Sequence, residues 1–184
     1  MAEKSYGPLI GAGLLIGAGL GGLIESVVFR HIAQTHWMLS AKVPERTLSG
    51  LKTSVMWDGI LQVFLIIALV SGVILLFSTA KKKDALLSGQ VLFGGWFLGW
   101  GLYNLIEGGL GHFVFKLHHL LEFGNPATQE TGDYGYLVSG ALLAALGYWA
   151  ISSTRSEIEE KEREAKRAKQ RAKEIKGDKK VYLD

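Results

Sequence analysis

Apolar residues collect in four long runs, at residues 7–29, 57–77, 91–115 and 134–151, with polar or charged stretches between them. Each run is close to the roughly 20 residues that carry a helix across about 30 Å of hydrocarbon. A surface helix of a soluble domain interrupts its apolar stripe with charge at every turn. Inside these runs the only charged or imidazole side chains are Glu25, Asp58, Glu107 and His112. The pattern predicts an all-α membrane protein with four transmembrane helices, occupying residues 1–154. From 155 to 184, Glu157, Glu159, Glu160 and Glu162 alternate with Lys and Arg without an apolar stripe. That alternation predicts a charged cytoplasmic C-terminal helix or disordered tail held in solvent by ion pairs along its surface.

The first run reads as a retained span. Lys4 is the only basic side chain ahead of it, and no small-residue cleavage site precedes Arg30. Four spans put both termini on one side. Lys4, Lys81, Lys82, Lys83, Arg155, Lys161, Arg163, Lys166, Arg167 and Lys169 lie on that side, against Arg30, Lys42, Arg46, Lys52 and Lys116 on the other. The excess predicts cytoplasmic termini in a cell (inner) membrane. Trp37, Trp57, Tyr134 and Tyr136 then suit an aromatic belt at the outer interface.

Sliding the chain along itself until Gly13 meets Gly95 lays the first half on the second. At that one offset Gly13, Gly17, Gly19, Leu20, Leu23, Ile24, Glu25, His36, Leu39 and Pro44 meet identical residues at positions 95, 99, 101, 102, 105, 106, 107, 118, 121 and 126. The weight rests on the Leu-Ile-Glu triplets, the histidines and the prolines, since glycine and leucine recur cheaply in membrane segments. The offset predicts a parallel 2+2 internal repeat, with halves at about 8–80 and 90–154, related by an axis along the membrane normal. Spans one and three would face each other through their glycine rows, as small residues allow where membrane helices pack.

Composition narrows the chemistry. With no cysteine among 184 residues, disulfides, thiolate metal sites and cysteine nucleophiles are excluded. The net charge of +3 is concentrated in Lys81, Lys82 and Lys83 and in the tail, where alternating signs argue against nucleic acid as a partner and leave the lipid bilayer, a second copy or a larger membrane complex. No nucleophile motif, phosphate loop or dinucleotide fingerprint is present, so the pattern assigns no enzymatic class.

What remains is a polar cluster. All five histidines, with Glu25, Arg30, Asp58 and Glu107, map to one membrane face. Ionisable groups at that depth cost a few kcal/mol each on insertion scales, so several together mark a pathway, a relay or a metal site. On a straight helix Glu107 and His118 would stand about 16 Å apart. Two geometries repair this: the helix ends near Phe115 and His118-His119 folds back, or a wide turn at Gly108, Gly109 or Gly111 rotates His112 onto the face of Glu107.

At position 30 the first half has Arg where the second has His112, and Trp37 where the second has His119. Arg30 is a fixed cation that would repel a metal. The expected metal set is therefore Glu107, His112, His118 and His119, completed by His36 and Asp58. Glu25 would stand behind them or act as a relay, and His31 would be solvated. Nitrogen and oxygen donors suit a transition metal ion, whether copper, iron or zinc. Haem is disfavoured, because only His36 and His118 are placed for it by the repeat. The alternatives are a small oligomeric transporter or proton relay using Glu25 and Glu107, and a non-catalytic membrane subunit whose tail docks a partner.

The stretch from Gly99 through Trp100, Tyr103 and Asn104 to Glu107, then His112 and His118-His119, resembles the bacterial membrane proteins catalogued as a domain of unknown function, DUF2243. So do Glu25, the segment from His36 to Ser40, and Asp58-Gly59. The resemblance covers residues 8–152 and implies no activity. The family pattern has Asp at position 25, His at 30, 37 and 62, and Gln at 31, so this chain keeps the third-span half of the pattern and departs from it in the first.

Overall fold

The computed structural model describes residues 5–43, 47–83 and 85–181, with side chains beyond Thr154 described only at Arg167. Lys4, Pro44, Arg46 and the charged side chains of the tail other than Arg167, on which parts of the orientation, repeat and tail readings rest, lie outside the described residues. Among the described residues all regular structure is helical: α1 (Gly7–Glu25), π1 (Ser26–Ile32), α2 (Leu48–Ala80), α3 (Gly89–Glu107), π2 (Gly108–Val114) and α4 (Pro126–Val181). Pro8 sits in the first turn of α1, where a missing N–H costs nothing. Thr47 and Ser88 cap α2 and α3 by accepting from Gly50 N (3.1 Å) and Val91 N (3.3 Å).

Three helical segments are long and apolar enough to cross a membrane: Gly7–Ile32, Leu48–Ala80 and Pro126–Thr154. Two of them begin earlier than their apolar runs, because the polar first turns at 48–56 and 126–133 are helical as well. α3 falls outside this set by composition, although α3 with π2 has the same length, 19 and 7 residues, as α1 with π1. The reason is its position. α3 packs against both α1 and α4, while α2 packs against α1. A helix packed on two sides can turn Tyr103, Asn104 and Glu107 toward protein while Phe93, Leu102 and Ile106 stay exposed. On the outer helices Phe64, Ile67 and Phe77 of α2 and Leu142, Leu146 and Trp149 of α4 are likewise exposed.

α1 and α3 touch backbone to backbone. A Cβ added at Gly17 would stand 1.9 Å from Trp96 O, and one at Gly99 2.1 Å from Leu14 O. No side chain fits between them, so the glycine rows set the separation of the two helices that carry the polar cluster.

A candidate metal centre

Both inner helices end in the same way. After Glu107 the backbone widens into π2, whose glycines at 108, 109 and 111 tolerate the wider turn, and His112 swings onto the face of Glu107, with Nε2 3.7 Å from Oε2. The chain then reverses. Phe115 N donates to Leu110 O (2.8 Å), Leu117 N donates to Gly111 O (2.7 Å), and Lys116 takes a left-handed φ of 48°. This folds His118 back until its Nε2 lies 3.0 Å from Glu107 Oε1. The two geometries left open by the sequence thus occur together. Gly111 makes room for the result, since a Cβ there would come within 2.8 Å of His118 Nε2.

The first half repeats the construction. Ala33 N donates to Val28 O (2.8 Å), Thr35 N donates to Phe29 O (2.9 Å), and Gln34 has a φ of 53°. His36 is carried inward, its Nε2 3.7 Å from Glu107 Oε1. The two turns are tied together where Ala41 N donates to Leu117 O (3.0 Å), Glu122 N donates to Thr35 O (2.8 Å) and the Ser40 hydroxyl meets Glu122.

Three imidazoles therefore surround one carboxylate. Donor atoms of His36, Glu107, His112 and His118 all lie within 4.8 Å of one another. Bonds of about 2.0–2.2 Å to a tetrahedral ion would space its donors roughly 3.3–3.6 Å apart. The three imidazole-to-carboxylate separations, 3.0, 3.7 and 3.7 Å, bracket that spacing. The histidines are only 5, 3 and 1% exposed at 36, 112 and 118, so water does not serve them. Both oxygens of Glu107 and both ring nitrogens of His112 and His118 are buried without a hydrogen bond. Their short contacts are close in distance but misaligned for one. An unpartnered buried polar atom costs about 1–3 kcal/mol, and four of these, the two Glu107 oxygens and the Nε2 atoms of His112 and His118, face one another, which fits a common acceptor of lone pairs. Burial also pushes the His118 imidazole below its usual pKa, against the opposing pull of Glu107, which keeps it neutral and able to ligate at neutral pH.

Behind the cluster, two of the rings are oriented by their far nitrogens. His36 Nδ1 donates to His119 O (2.8 Å), which leaves the Nε2 lone pair facing inward. His112 Nδ1 lies 2.7 Å from Asp133 Oδ1. Asp133 is fixed in turn by Leu120 N (2.8 Å) and His119 Nδ1 (2.6 Å). Backing a ligating histidine with a carboxylate or carbonyl is a recurrent feature of metal centres.

The remaining expected residues stand elsewhere. Asp58 does not reach the cluster: it accepts from Met38 N (3.2 Å) and pairs with Arg30 Nη1 (3.1 Å). His119 is spent on Asp133. Glu25 is held by Trp100 Nε1 (2.6 Å) and the Tyr136 hydroxyl (2.5 Å), and His31 lies at the surface beside Gln62. Tyr136 is no belt residue: it is 7% exposed, and its ring stacks on His112 with centroids 5.5 Å apart. Spacing singles out neither Asp133 nor the inward turn of Arg30. Arg30 is buried, with Nη2 3.1 Å from His36 Nε2 and 3.5 Å from Glu107 Oε1.

A family model described as "Predicted membrane protein (DUF2243)" matches residues 12–154. The chain belongs to this family. Its matched region takes in all four clustered residues together with Arg30, Asp58 and Asp133, and stops where the charged tail begins. No curated protein and no solved structure matches the chain.

Proposed function

We propose that this membrane protein holds one transition metal ion through His36, Glu107, His112 and His118, near its extracytoplasmic face. The observation that carries the reading is the convergence of three imidazoles, two of them backed by the His119 carbonyl and Asp133, on a buried carboxylate whose oxygens accept no hydrogen bond. Three nitrogens and an oxygen suit zinc, copper(II) or iron(II). A redox-active ion would give the site electron-transfer or oxidative chemistry, whereas zinc would give Lewis-acid chemistry or simple capture. A porphyrin between His36 and His118 is disfavoured, because their rings meet edge to face with centroids 4.3 Å apart. Elemental analysis and an absorption spectrum of detergent-purified full-length protein test the reading. Near one metal per chain is expected, and a metal-free preparation that takes up no zinc, copper or iron would sink it.

Asp133 orients His112, so Asp133→Asn should weaken metal affinity about 10- to 100-fold without unfolding the protein. Competition with a chelator of known affinity measures this, and an unchanged constant would remove Asp133 from the site.

The relay alternative loses ground because Glu25 and Glu107 are engaged differently, one by Trp100 and Tyr136, the other by imidazoles. We also read the chain as four crossings built from two related hairpins. Support comes from the element bounds: the offset that carries Gly13 onto Gly95 also carries α1–π1 onto α3–π2, and Gln34 onto Lys116. With cytoplasmic termini, cysteines introduced at Ser49 and Thr128 should react with an impermeant reagent in intact cells, and one at Lys82 should not. The opposite labelling pattern would invert the topology.

A further inference from the structure

The metal reading leaves Arg30 unexplained, and two cavities meet at that residue. The inner one, of about 10 Å³, is bounded by Glu25, Arg30, His36, Tyr103 and Tyr136. The outer one, of about 380 Å³, is bounded by Arg30, Trp37, Asp58, Gly59 and Gln62. Arg30 is common to both linings. Its guanidinium also bridges three groups: Nη1 is 3.1 Å from Asp58 Oδ1, while Nη2 is 3.1 Å from His36 Nε2 and 3.5 Å from Glu107 Oε1.

Those last two atoms belong to the ligand set. An imidazole Nε2 has one lone pair, which goes either to an N–H or to a metal ion. His36 Nδ1 is already the protonated nitrogen, since it donates to His119 O. Arg30 and an ion therefore compete for the same lone pair, and one oxygen of Glu107 is drawn into the contest. The second half shows what the position can do without this competition. His112 is the repeat equivalent of Arg30 and lies beside Asp133 as Arg30 lies beside Asp58, with Met38 N and Leu120 N donating to the two aspartates in the same way.

We infer that Arg30 is a gate: a divalent cation drawn into the outer cavity by Asp58 reaches His36 and Glu107 only when the guanidinium gives them up and turns back onto Asp58. This rests on the metal reading, and it makes Arg30 a positioning residue that limits uptake and weakens affinity. The hydrogen bond to His36 Nε2 and the ion pair to Glu107 Oε1 that it withdraws both carry the guanidinium charge, and their release is expected to tighten binding roughly ten- to a hundred-fold.

Cobalt(II) is the probe, titrated into the detergent-purified full chain and followed by its ligand-field absorption. Arg30→Met should bind cobalt tighter and faster than wild type. Because that change leaves Asp58 without its cation, the double variant Arg30→Met/Asp58→Asn is measured beside it, with circular dichroism and elution volume reporting the fold. Gly59→Leu supplies a test with Arg30 intact. A Cβ at Gly59 meets nothing within 4 Å, so the larger side chain should narrow the outer cavity, slowing uptake and leaving affinity unchanged. Equal or weaker cobalt affinity in the folded Arg30 variants overturns the gate, and so does wild-type uptake speed in Gly59→Leu. If wild type and variants alike take up no cobalt, the metal reading itself fails and the gate falls with it.

Discussion

Replacing His112 or His118 with alanine is expected to abolish retained metal, while His31→Ala keeps most of it. Each of the first two removes one of three nitrogens from a buried site. Water would have to enter a space lined by Tyr136 and the neighbouring rings to replace it. A lost ligand costs more than the 10- to 100-fold typical of the groups behind the ligands. His31 meets Gln62 and lines the outer cavity, and it is not among the four clustered residues. Metal content after desalting, measured beside a loaded wild-type sample, separates the cases. Equal retention in all three variants would show that the ligands are others. His119→Ala adds a finer comparison. Its imidazole supports Asp133, but its backbone carbonyl, which orients His36, survives the substitution, so a partial loss is expected rather than a complete one.

That comparison also marks where the sequence ceases to be informative. The apolar runs announce the helices, and the paired glycine rows announce that α1 and α3 meet. The four clustered residues are all among the sequence candidates. Asp58 and His119 are candidates too, because spacing says which residues share a membrane face but not which way each side chain turns within it. The turns that decide this pass through left-handed backbone at Gln34 and Lys116, residue types that rarely adopt it and so give no signal. Asp133 escapes notice for a related reason. It plays toward His112 the part that Asp58 plays toward Arg30, yet the repeat offset lays Asp58 on Gly140, so a scan in that register passes over the second aspartate. On charge alone, Arg30 excludes metal from the first half. Only the folded chain shows the guanidinium reaching Glu107 of the second half as well as His36 of the first.

A large effect on the fold is expected from a single methyl group at Gly99. In Gly99→Ala the new Cβ would lie 2.1 Å from Leu14 O and 2.8 Å from the Leu14 carbonyl carbon, both backbone atoms that no rotamer change can move. The α1–α3 interface must open, and with it every packed pair along the glycine rows. Overpacking of this kind costs about 3 kcal/mol or more where backbone is the obstacle. The site should suffer as well, since α1 leads to His36 and Arg30 while α3 leads to Glu107, His112 and His118. A shift of an ångström between the helices would break the spacing on which the proposed coordination depends. Gly59→Ala is the matched control: its Cβ meets nothing within 4 Å, and replacing a mid-helix glycine should be neutral or stabilise by up to about 1 kcal/mol. Thermal unfolding in detergent, with metal content measured on the same samples, should show Gly99→Ala losing both stability and metal while Gly59→Ala loses neither. Wild-type stability in Gly99→Ala would mean that the helices do not meet at that glycine, and that something other than backbone contact holds His36 against Glu107.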